Sequence, residues 1–319
     1  MLASTTNRIC RKFSLFALLG LCLAGCKSGA YPDADARIPM VATTSILADA
    51  VTAIGGDRVR VECLMGPGID PHRYLPTSGD VQKLAVAKAI FHHGLHLEGK
   101  MSEILEKPRP GQRTLAVSKG IPESDLRHAD EGAHDPHVWF DPLLWLICVQ
   151  NVADELAIID PEHAPEYANR AAIYIAAIRR THEELERIAQ AIPKAKRVLV
   201  TSHDAFGYFG AQYGFEVHGL QGVSTASETS TKDVVALAEL LGKNRIEAVF
   251  CETSVPSKGL EAVLDSVNKK YGLKVKLIGG DDSLYSDALG EKGTTGDTYV
   301  GMIRHNMQII ARSLGHASP

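Results

Sequence analysis

The sequence predicts an α/β protein of two lobes, each a four-stranded parallel sheet with flanking helices, joined by one long rigid helix. Three observations predict this architecture. From Ile38 onward, short β-rich runs alternate with helical patterns, which is typical of parallel, doubly wound sheets. Between Pro161 and Pro193 a glycine-free run of good helix formers interrupts the alternation. After Pro193 the alternation begins again, which indicates a second lobe.

The first 25 residues have the pattern of a lipoprotein signal peptide. A basic start is followed by an apolar run, residues 13–23, that is too short to span a bilayer as a helix. The run ends in Leu23-Ala24-Gly25-Cys26, which resembles the lipobox, where cleavage precedes a cysteine whose thiol is lipidated. The alternative is an ordinary secretory signal with an incidental cysteine. We favour a lipid anchor at Cys26 and a polar tether over residues 26–37.

Length and charge narrow the possible functions. The chain of 319 residues is long enough for two modest domains with hydrophobic cores. Its formal net charge is −4, and removal of the basic leader makes the mature chain more acidic, which argues against a nucleic-acid partner and is compatible with handling cations. Beyond Cys26 only Cys63, Cys148 and Cys251 remain. These three are widely spaced and indicate neither a disulfide framework nor a CxxC metal site.

Residues 38–160 are predicted to form the first lobe. Its predicted strands span residues 39–43, 59–64, 90–91 and 114–117. Its predicted helices span residues 46–54, a segment from the cap Thr77-Ser78 to residue 88, residues 97–105, and a segment from Asp141-Pro142 to residue 159. A loop rich in glycine and proline follows the second strand, and a long loop follows the fourth.

Residues 161–193 are predicted to form a single helix that joins the lobes. An unbroken helix of this length would be roughly 50 Å long at 1.5 Å per residue, enough to connect two lobes. Its apolar residues fall on one face at helical spacing. A coiled-coil partner helix is the alternative, but the pattern covers too few heptads to favour it.

Residues 194–319 are predicted to form the second lobe. Its predicted strands span residues 197–201, 215–218, 248–251 and 274–278. Its predicted helices run from Ser202-His203-Asp204 to residue 213, over residues 232–241 and 258–271, and from the end of a loop rich in glycine and aspartate to about residue 314.

Polar side chains follow the strands of both lobes. His72 comes after the second strand of the first lobe and His137 after its fourth, whereas His203 comes after the first strand of the second lobe. Three aspartates follow the fourth strand of that lobe: Asp281, Asp282 and Asp287. All these positions lie at the carboxyl ends of parallel strands, where open α/β sheets bind ligands. Three imidazoles and one carboxylate in the cleft between the lobes would form a closed site for a divalent transition metal.

Four segments resemble, in order, the motifs of a known family, the TroA-like metal-binding lipoproteins of bacterial zinc and manganese ABC importers. They are residues 65–74 (MGPGIDPHRY), 135–141 (DPHVWFD), 201–209 (TSHDAFGYF) and 284–290 (LYSDALG). The resemblance covers residues 40–314. It implies that His72, His137, His203 and Asp287 bind the metal, and it alone selects Asp287 among the three aspartates. It also implies that residues 161–193 are the rigid helix joining the lobes.

The resemblance implies a function as well. The expected protein is the extracytoplasmic substrate-binding component of an ABC importer, at the periplasm or cell surface, delivering Zn²⁺ or Mn²⁺ as cargo to the permease and its ATPase. We expect a monomer. Zinc-specific members often carry a long His-rich insert before the second ligand, but this chain has only His128 and His134 there. Manganese-specific members commonly have Glu in place of His203, so this set resembles members for which both metals are proposed.

Other candidates carry less weight. His92, His93 and His96 form a cluster that the resemblance places away from the four ligands. Glu252 ends a predicted strand that faces the cleft, and it is either a residue that supports a ligand or a solvated rim residue. The motifs HExxH, GxSxG, GxxxxGK and a strand-following GxGxxG are absent. Two alternatives remain. One is a metal-dependent hydrolase, which would need an open coordination position and a base, either Asp204 or Glu252, and the other is a surface adhesin.

Overall fold

A computed structural model describes residues 35–129 and 132–315. The predicted signal peptide, Cys26 and most of the tether lie outside the described residues. The fold class predicted from the sequence is confirmed: two four-stranded sheets, all of whose strand pairs are parallel, carry flanking helices, and a long helix stands between them in the chain. The limits predicted for the two lobes stay predictions.

The two sheets have the same strand order. The first sheet has the order β2-β1-β3-β4 and the second the order β6-β5-β7-β8. The strands are β1 (Ile38–Thr44), β2 (Val59–Met65), β3 (Ala89–His92), β4 (Arg113–Ala116), β5 (Val198–His203), β6 (Glu216–Gln221), β7 (Ala248–Phe250) and β8 (Lys276–Ile278). In each sheet the two longest strands pair to their last residues, Thr44 with Met65 and His203 with Gln221. The loops that follow these strands therefore all start at the carboxyl end of their sheet.

Nine α-helices lie within the described ranges. They are α1 (Ser45–Gly55), α2 (Ser78–Val86), α3 (Ser102–Leu105), α4 (Pro142–Ile159), α5 (Ala164–Ala191), α6 (Gly207–Tyr213), α7 (Thr231–Asn244), α8 (Lys258–Tyr271) and α9 (Tyr299–Ser313). Helix α4 begins where the sequence predicts, because the Asp141 side chain accepts a hydrogen bond from the Leu143 backbone N–H at 2.8 Å and Pro142 occupies the first turn. By length and composition alone α4 could cross a membrane, but it is largely buried in the core, and a buried core helix passes the same test.

Two predicted helices differ from the observed ones. The segment 97–105 forms a short 3₁₀ turn followed by the four-residue α3, because Gly94, Leu95 and His96 all have positive φ and form a tight turn that delays the helix. His203 was predicted at the head of a helix. It is instead the last residue of β5, where it pairs with Gln221, and α6 begins only at Gly207.

Helix α5 contacts both lobes. It has 28 residues, roughly 42 Å at 1.5 Å per residue. On the first lobe, the Tyr174 hydroxyl donates to Asp49 Oδ2 of α1 at 2.6 Å. On the second lobe, Arg304 of α9 donates to Glu184 at 3.1 Å. The helix is therefore held by polar contacts to an N-terminal and a C-terminal helix of the chain.

The largest hydrophobic cluster crosses from one lobe to the other, and we call it the shared core. It contains Trp139 and Phe140 of the first lobe, Tyr167 of α5, and Phe206 and Tyr299 of the second lobe, all buried. The rings of Phe140 and Phe206 lie 4.4 Å apart between centroids. Burial of aromatic rings is a main source of stability, so the two lobes are stabilised as one unit where they share this core.

Two smaller clusters each belong to one lobe. The N-lobe cluster contains Val41, Met65, Leu84 and Met101, and Tyr74 packs against it. The other cluster lies in the second lobe between β5, β7, α7 and α8. The residues on either side of His72 thus pack within the first lobe, apart from the shared core.

Candidate metal centre

The four predicted ligand side chains come together where the carboxyl ends of the two sheets meet. His72, His137, His203 and Asp287 each offer one ligand atom, and these atoms lie within 4.8 Å of one another. The four residues are only 5%, 0%, 0% and 1% exposed, respectively. No other group of three or more such side chains with this spacing occurs in the described part of the chain. Their role as ligands stays a prediction.

The separations between these atoms suit a small cation. His72 Nε2 lies 3.3 Å from His137 Nε2. One oxygen of Asp287 lies 3.4 Å from His137 Nε2, and its other oxygen lies 3.4 Å from His203 Nε2. Zinc bonds to nitrogen and oxygen are about 2.0–2.2 Å, so two ligands of a tetrahedral ion lie roughly 3.3–3.5 Å apart. The three separations fall in that range.

His137 is oriented by the carboxylate two residues before it. Asp135 Oδ1 accepts a hydrogen bond from the His137 backbone N–H at 3.0 Å and lies 2.7 Å from His137 Nδ1. A proton held on Nδ1 leaves Nε2 free to face the centre, as metal-binding histidines require. Sequence reasoning did not identify Asp135 in this role. The repeated triplet Asp-Pro-His, at Asp70 and again at Asp135, was the signal that could have found it.

The same triplet holds His72 differently. Asp70 Oδ1 accepts a hydrogen bond from the His72 backbone N–H at 2.9 Å. Its other oxygen, Oδ2, accepts one from the Thr225 hydroxyl of the second lobe at 2.5 Å. Asp70 therefore joins the loop that carries His72 to the opposite lobe.

His203 is oriented by Glu252, which follows β7. Glu252 Oε1 accepts a hydrogen bond from the His203 backbone N–H at 2.9 Å, and Oε2 lies 2.5 Å from His203 Nδ1. Both side chains are buried. Glu252 thus lies beside a predicted ligand and is not solvated. Its role in supporting that ligand stays a prediction.

Of the three aspartates after β8, the centre contains Asp287. Its loop is fixed at both sides: the Ser286 carbonyl accepts a hydrogen bond from Trp139 Nε1 at 3.0 Å, and the Leu289 backbone N–H donates to Ser45 Oγ at 2.8 Å. Asp282 instead pairs with Arg312 at 2.7 Å, and Asp281 is exposed.

The charges of these groups depend strongly on one another. Burial lowers the pKa of His72 to about 3, which keeps its imidazole neutral. Burial would also lower the pKa of His137, but its hydrogen bond with Asp135 and its ion pair with Asp287 outweigh that effect and raise the pKa to about 9. Likewise, the charges of Glu252 and Asp287 outweigh burial and raise the pKa of His203 well above its ordinary value.

The pKa of Asp287 is shifted in the opposite direction. Burial would raise the pKa of this carboxyl, but the positive charges of His203 and His137, each with a ring nitrogen 3.4 Å from a carboxylate oxygen, hold it well below its ordinary value. A divalent cation would replace the protons on the two histidines as the partner of this carboxylate. His203 Nε2 and both Asp287 oxygens are buried and have no hydrogen-bond partner among the described residues. Such groups are costly to leave unpaired, and a cation at the centre would satisfy them.

The other histidine clusters lie apart from this centre. His93 is buried, its Nε2 lies 2.8 Å from the Thr44 hydroxyl, and its ring packs on Trp139 at 4.6 Å between centroids. His128 and His134 lie side by side before the His137 loop, and His134 Nε2 is 2.9 Å from Glu123. Neither His93 nor His134 belongs to a group of three or more described side chains that could hold a metal.

Comparisons with known proteins agree over nearly the whole chain. The profile of the family described as zinc-uptake complex component A, periplasmic, matches residues 40–313. The chain is 44% identical to the manganese-binding lipoprotein MntA of Bacillus subtilis (strain 168) over 303 residues, which are 95% of this chain and 96% of that protein. It is 44% identical to the zinc-binding protein TroA of Treponema pallidum (strain Nichols) over 281 residues, 88% of this chain and 90% of that protein. A solved structure of periplasmic zinc-binding TroA from Treponema pallidum superposes with a TM-score of 0.84 at 43% identity, covering 88% of this chain and 99% of that chain.

Proposed function

The chain belongs to the family of periplasmic zinc-uptake complex A components, and we propose that it is the extracytoplasmic substrate-binding component of an ABC importer with zinc or manganese as its cargo. One observation carries the proposal most directly. Three imidazoles and one carboxylate, drawn from both lobes, meet in a buried centre with separations that suit a divalent cation. The cargo would be captured in this centre and delivered to the permease and its ATPase.

We assign the ligand roles to His72, His137, His203 and Asp287. Wild-type protein should bind one metal per chain, and metal at a hundredfold above its dissociation constant should stabilise the fold by about 2.7 kcal/mol. His137→Ala and Asp287→Ala should lose both the tightly bound metal and the stabilisation. Elemental analysis and thermal melts with and without zinc test this, with Asp282→Ala as a control because its carboxylate pairs with Arg312 at the surface. One tightly bound metal in both ligand variants would show that the assignment is wrong.

The alternatives considered from the sequence have less support. A metal-dependent hydrolase requires an open coordination position, whereas four side chains here face one buried point. MntA and TroA are named a manganese-binding lipoprotein and a zinc-binding protein, and a further relative, ScbA of Streptococcus cristatus, is named a metal ABC transporter substrate-binding lipoprotein. No feature of the described surface favours an adhesin. We therefore infer that the chain binds its metal as cargo and does not use it for catalysis.

We also propose that the protein is a monomer held at the outer face of a membrane by a lipid on Cys26. The leader motif supports the anchor, and MntA, a relative of nearly equal length, is named a lipoprotein. Cys26→Ser should move the protein from the membrane fraction to the soluble fraction, whereas Cys63→Ser should leave fractionation unchanged. A Cys26→Ser variant that stays with the membrane would rule out this anchor.

A further inference from the structure

Three of the four proposed ligands are fixed to the shared core. Two or three residues after each of these ligands the chain enters the shared core: Trp139 and Phe140 after His137, Phe206 after His203, and Leu289 after Asp287, all of them buried. Hydrogen bonds between the lobes reinforce this side. Those hydrogen bonds are Trp139 Nε1 to the Ser286 carbonyl at 3.0 Å, the Tyr299 hydroxyl to the Trp139 carbonyl at 2.8 Å, and the Tyr208 hydroxyl to the Asp135 carbonyl at 3.0 Å. Displacing any of these ligands would disturb a close-packed interior.

His72 is held in another way. Its neighbours Met65 and Tyr74 pack in the N-lobe cluster, and the intervening turn, residues 67–69, is exposed. We call residues 66–76 the His72 loop. Within the described residues, one hydrogen bond joins this loop to the second lobe, from the Thr225 hydroxyl to Asp70 Oδ2 at 2.5 Å. The attachment of His72 to the opposite lobe is thus far weaker than that of the other three ligands.

We propose that Asp70 and Thr225 form a latch on the metal centre, and that metal enters and leaves when the latch opens and the His72 loop moves. His137, His203 and Asp287 stay together during this step. The proposal rests on the ligand set proposed above. Asp70 is a positioning residue, because the oxygen that does not meet Thr225 accepts the His72 backbone N–H at 2.9 Å. Closure of the latch therefore fixes the backbone of the ligand itself.

The surroundings of the latch allow this movement. A half-open cavity of about 1060 Å³ lies beside it and is lined by residues of both lobes, among them Asp70, Arg73, Ser202 and Thr225. Because Asp70 and Arg73 of the His72 loop line this cavity, displacement of the loop would open the buried centre toward it. The loop also contains Gly68 at φ +70°, a backbone conformation that allows a tight exposed turn.

Thr225→Val tests the latch, because it removes the hydroxyl and keeps the shape of a side chain that is almost fully buried. Zinc-loaded protein is mixed with excess chelator, and the rate of zinc loss is followed by stopped flow. The substitution removes a hydrogen bond to a carboxylate that exists only when the latch is closed, so it destabilises the closed state. Loss of such a bond should increase the rate of zinc release at least about tenfold. Thr225→Ser, which keeps the donor, should restore a rate close to that of the wild type.

Thr229→Val is the matched control. Thr229 lies on the same loop and lines the same cavity, and its hydroxyl has no hydrogen-bond partner among the described residues. We expect it to release zinc at the wild-type rate, while all variants still bind one zinc per chain. Equal release from Thr225→Val and wild type, or equal acceleration by Thr229→Val, would overturn the latch. Failure of the wild type itself to bind zinc would instead overturn the proposed ligand set.

Discussion

Asp70, Asp135 and Glu252 each accept a hydrogen bond from the backbone N–H of a proposed ligand histidine. Asp135 and Glu252 also lie within 2.7 Å and 2.5 Å of the Nδ1 atoms of His137 and His203, respectively. A carboxylate in this place holds the proton on Nδ1 and leaves Nε2 as the lone-pair donor. At the scale of single residues, the centre therefore depends on carboxylates that do not face the metal.

Glu252→Gln should weaken zinc binding about 10- to 100-fold, which is the usual effect of losing a group that orients a metal-binding histidine. The Gln oxygen can still accept from the His203 backbone, and its NH₂ group would then face Nδ1. That arrangement favours a proton on Nε2, the atom needed by the metal. Competition titration with a chelator of known strength measures the change. The exposed Glu291→Gln should bind like the wild type, and an unchanged affinity in Glu252→Gln would contradict this role.

Strand-end loops and family motifs both indicate His72, His137 and His203, whereas the family resemblance alone selects Asp287; that these four residues bind metal stays a prediction. The sequence did not reveal that Asp135 meets His137 through two atoms, since that depends on how the loop folds back on itself. It also left open whether Glu252 supports a ligand or lies on a solvated rim. Only the pairing of β5 with β7 brings Glu252 next to His203.

At the scale of elements, two helices begin with the same capping arrangement in different surroundings. Helix α2 is capped by Thr77 and Asp80, and α7 by Ser230 and Asp233. Asp80 is buried, and its Oδ2 also accepts a hydrogen bond from the Tyr74 hydroxyl at 2.6 Å. The Asp233 side chain is exposed. The cap of α2 is therefore connected to the His72 loop, whereas the cap of α7 serves its helix alone.

Thr77→Ala should lower the free energy of unfolding by about 1–2 kcal/mol, at the upper end of N-cap substitutions, because it also leaves the buried Asp80 with one donor fewer. Ser230→Ala should lower it by about 0.5–1 kcal/mol, since the same motif there faces solvent. Urea unfolding of metal-free protein provides both values. An equal or larger loss in Ser230→Ala would contradict the difference.

The sequence predicted which helices and strands are present better than it predicted where each one begins and ends. Of the helix predicted at 97–105, only the short α3 is observed, because three consecutive residues with positive φ form a turn before it. His203 was expected in a helix and lies in a strand, because pairing with Gln221 across the sheet outweighs local helix signals. Both differences arise from contacts that a local pattern does not contain.

At the scale of the whole molecule, the proposed ligands come from both lobes and the lobes share a core, so the proposed metal binding is a property of the complete chain. Three imidazoles and one carboxylate suit zinc in a tetrahedron. Manganese prefers more oxygen and a higher coordination number. Asp287 turns one oxygen toward His137 and the other toward His203, so it can offer both to a larger ion.

We expect the metal-free protein to bind zinc more tightly than manganese, because the order of affinities for a given set of nitrogen and oxygen ligands places zinc above manganese. Competition titration against both ions, with a chelator of known strength, measures the ratio. Asp287→Asn should lower the affinity for both ions, since it removes the only carboxylate of the proposed set. Displacement of zinc by manganese at equal free concentration would contradict this order.

The shared core also determines how a metal-dependent optical signal could be obtained from this molecule. Two fluorophores at the outer ends of the lobes would change their separation little, because buried rings hold the lobes together on the His137 side. A single environment-sensitive dye beside the His72 loop would instead report the binding and release of metal. Leu75 is 69% exposed and three residues from His72, the native Cys148 and Cys251 are buried, and the partly exposed Cys63 can be replaced by Ser, so Leu75→Cys combined with Cys63→Ser directs labelling to that loop. A biosensor built on this protein should therefore carry one dye at residue 75.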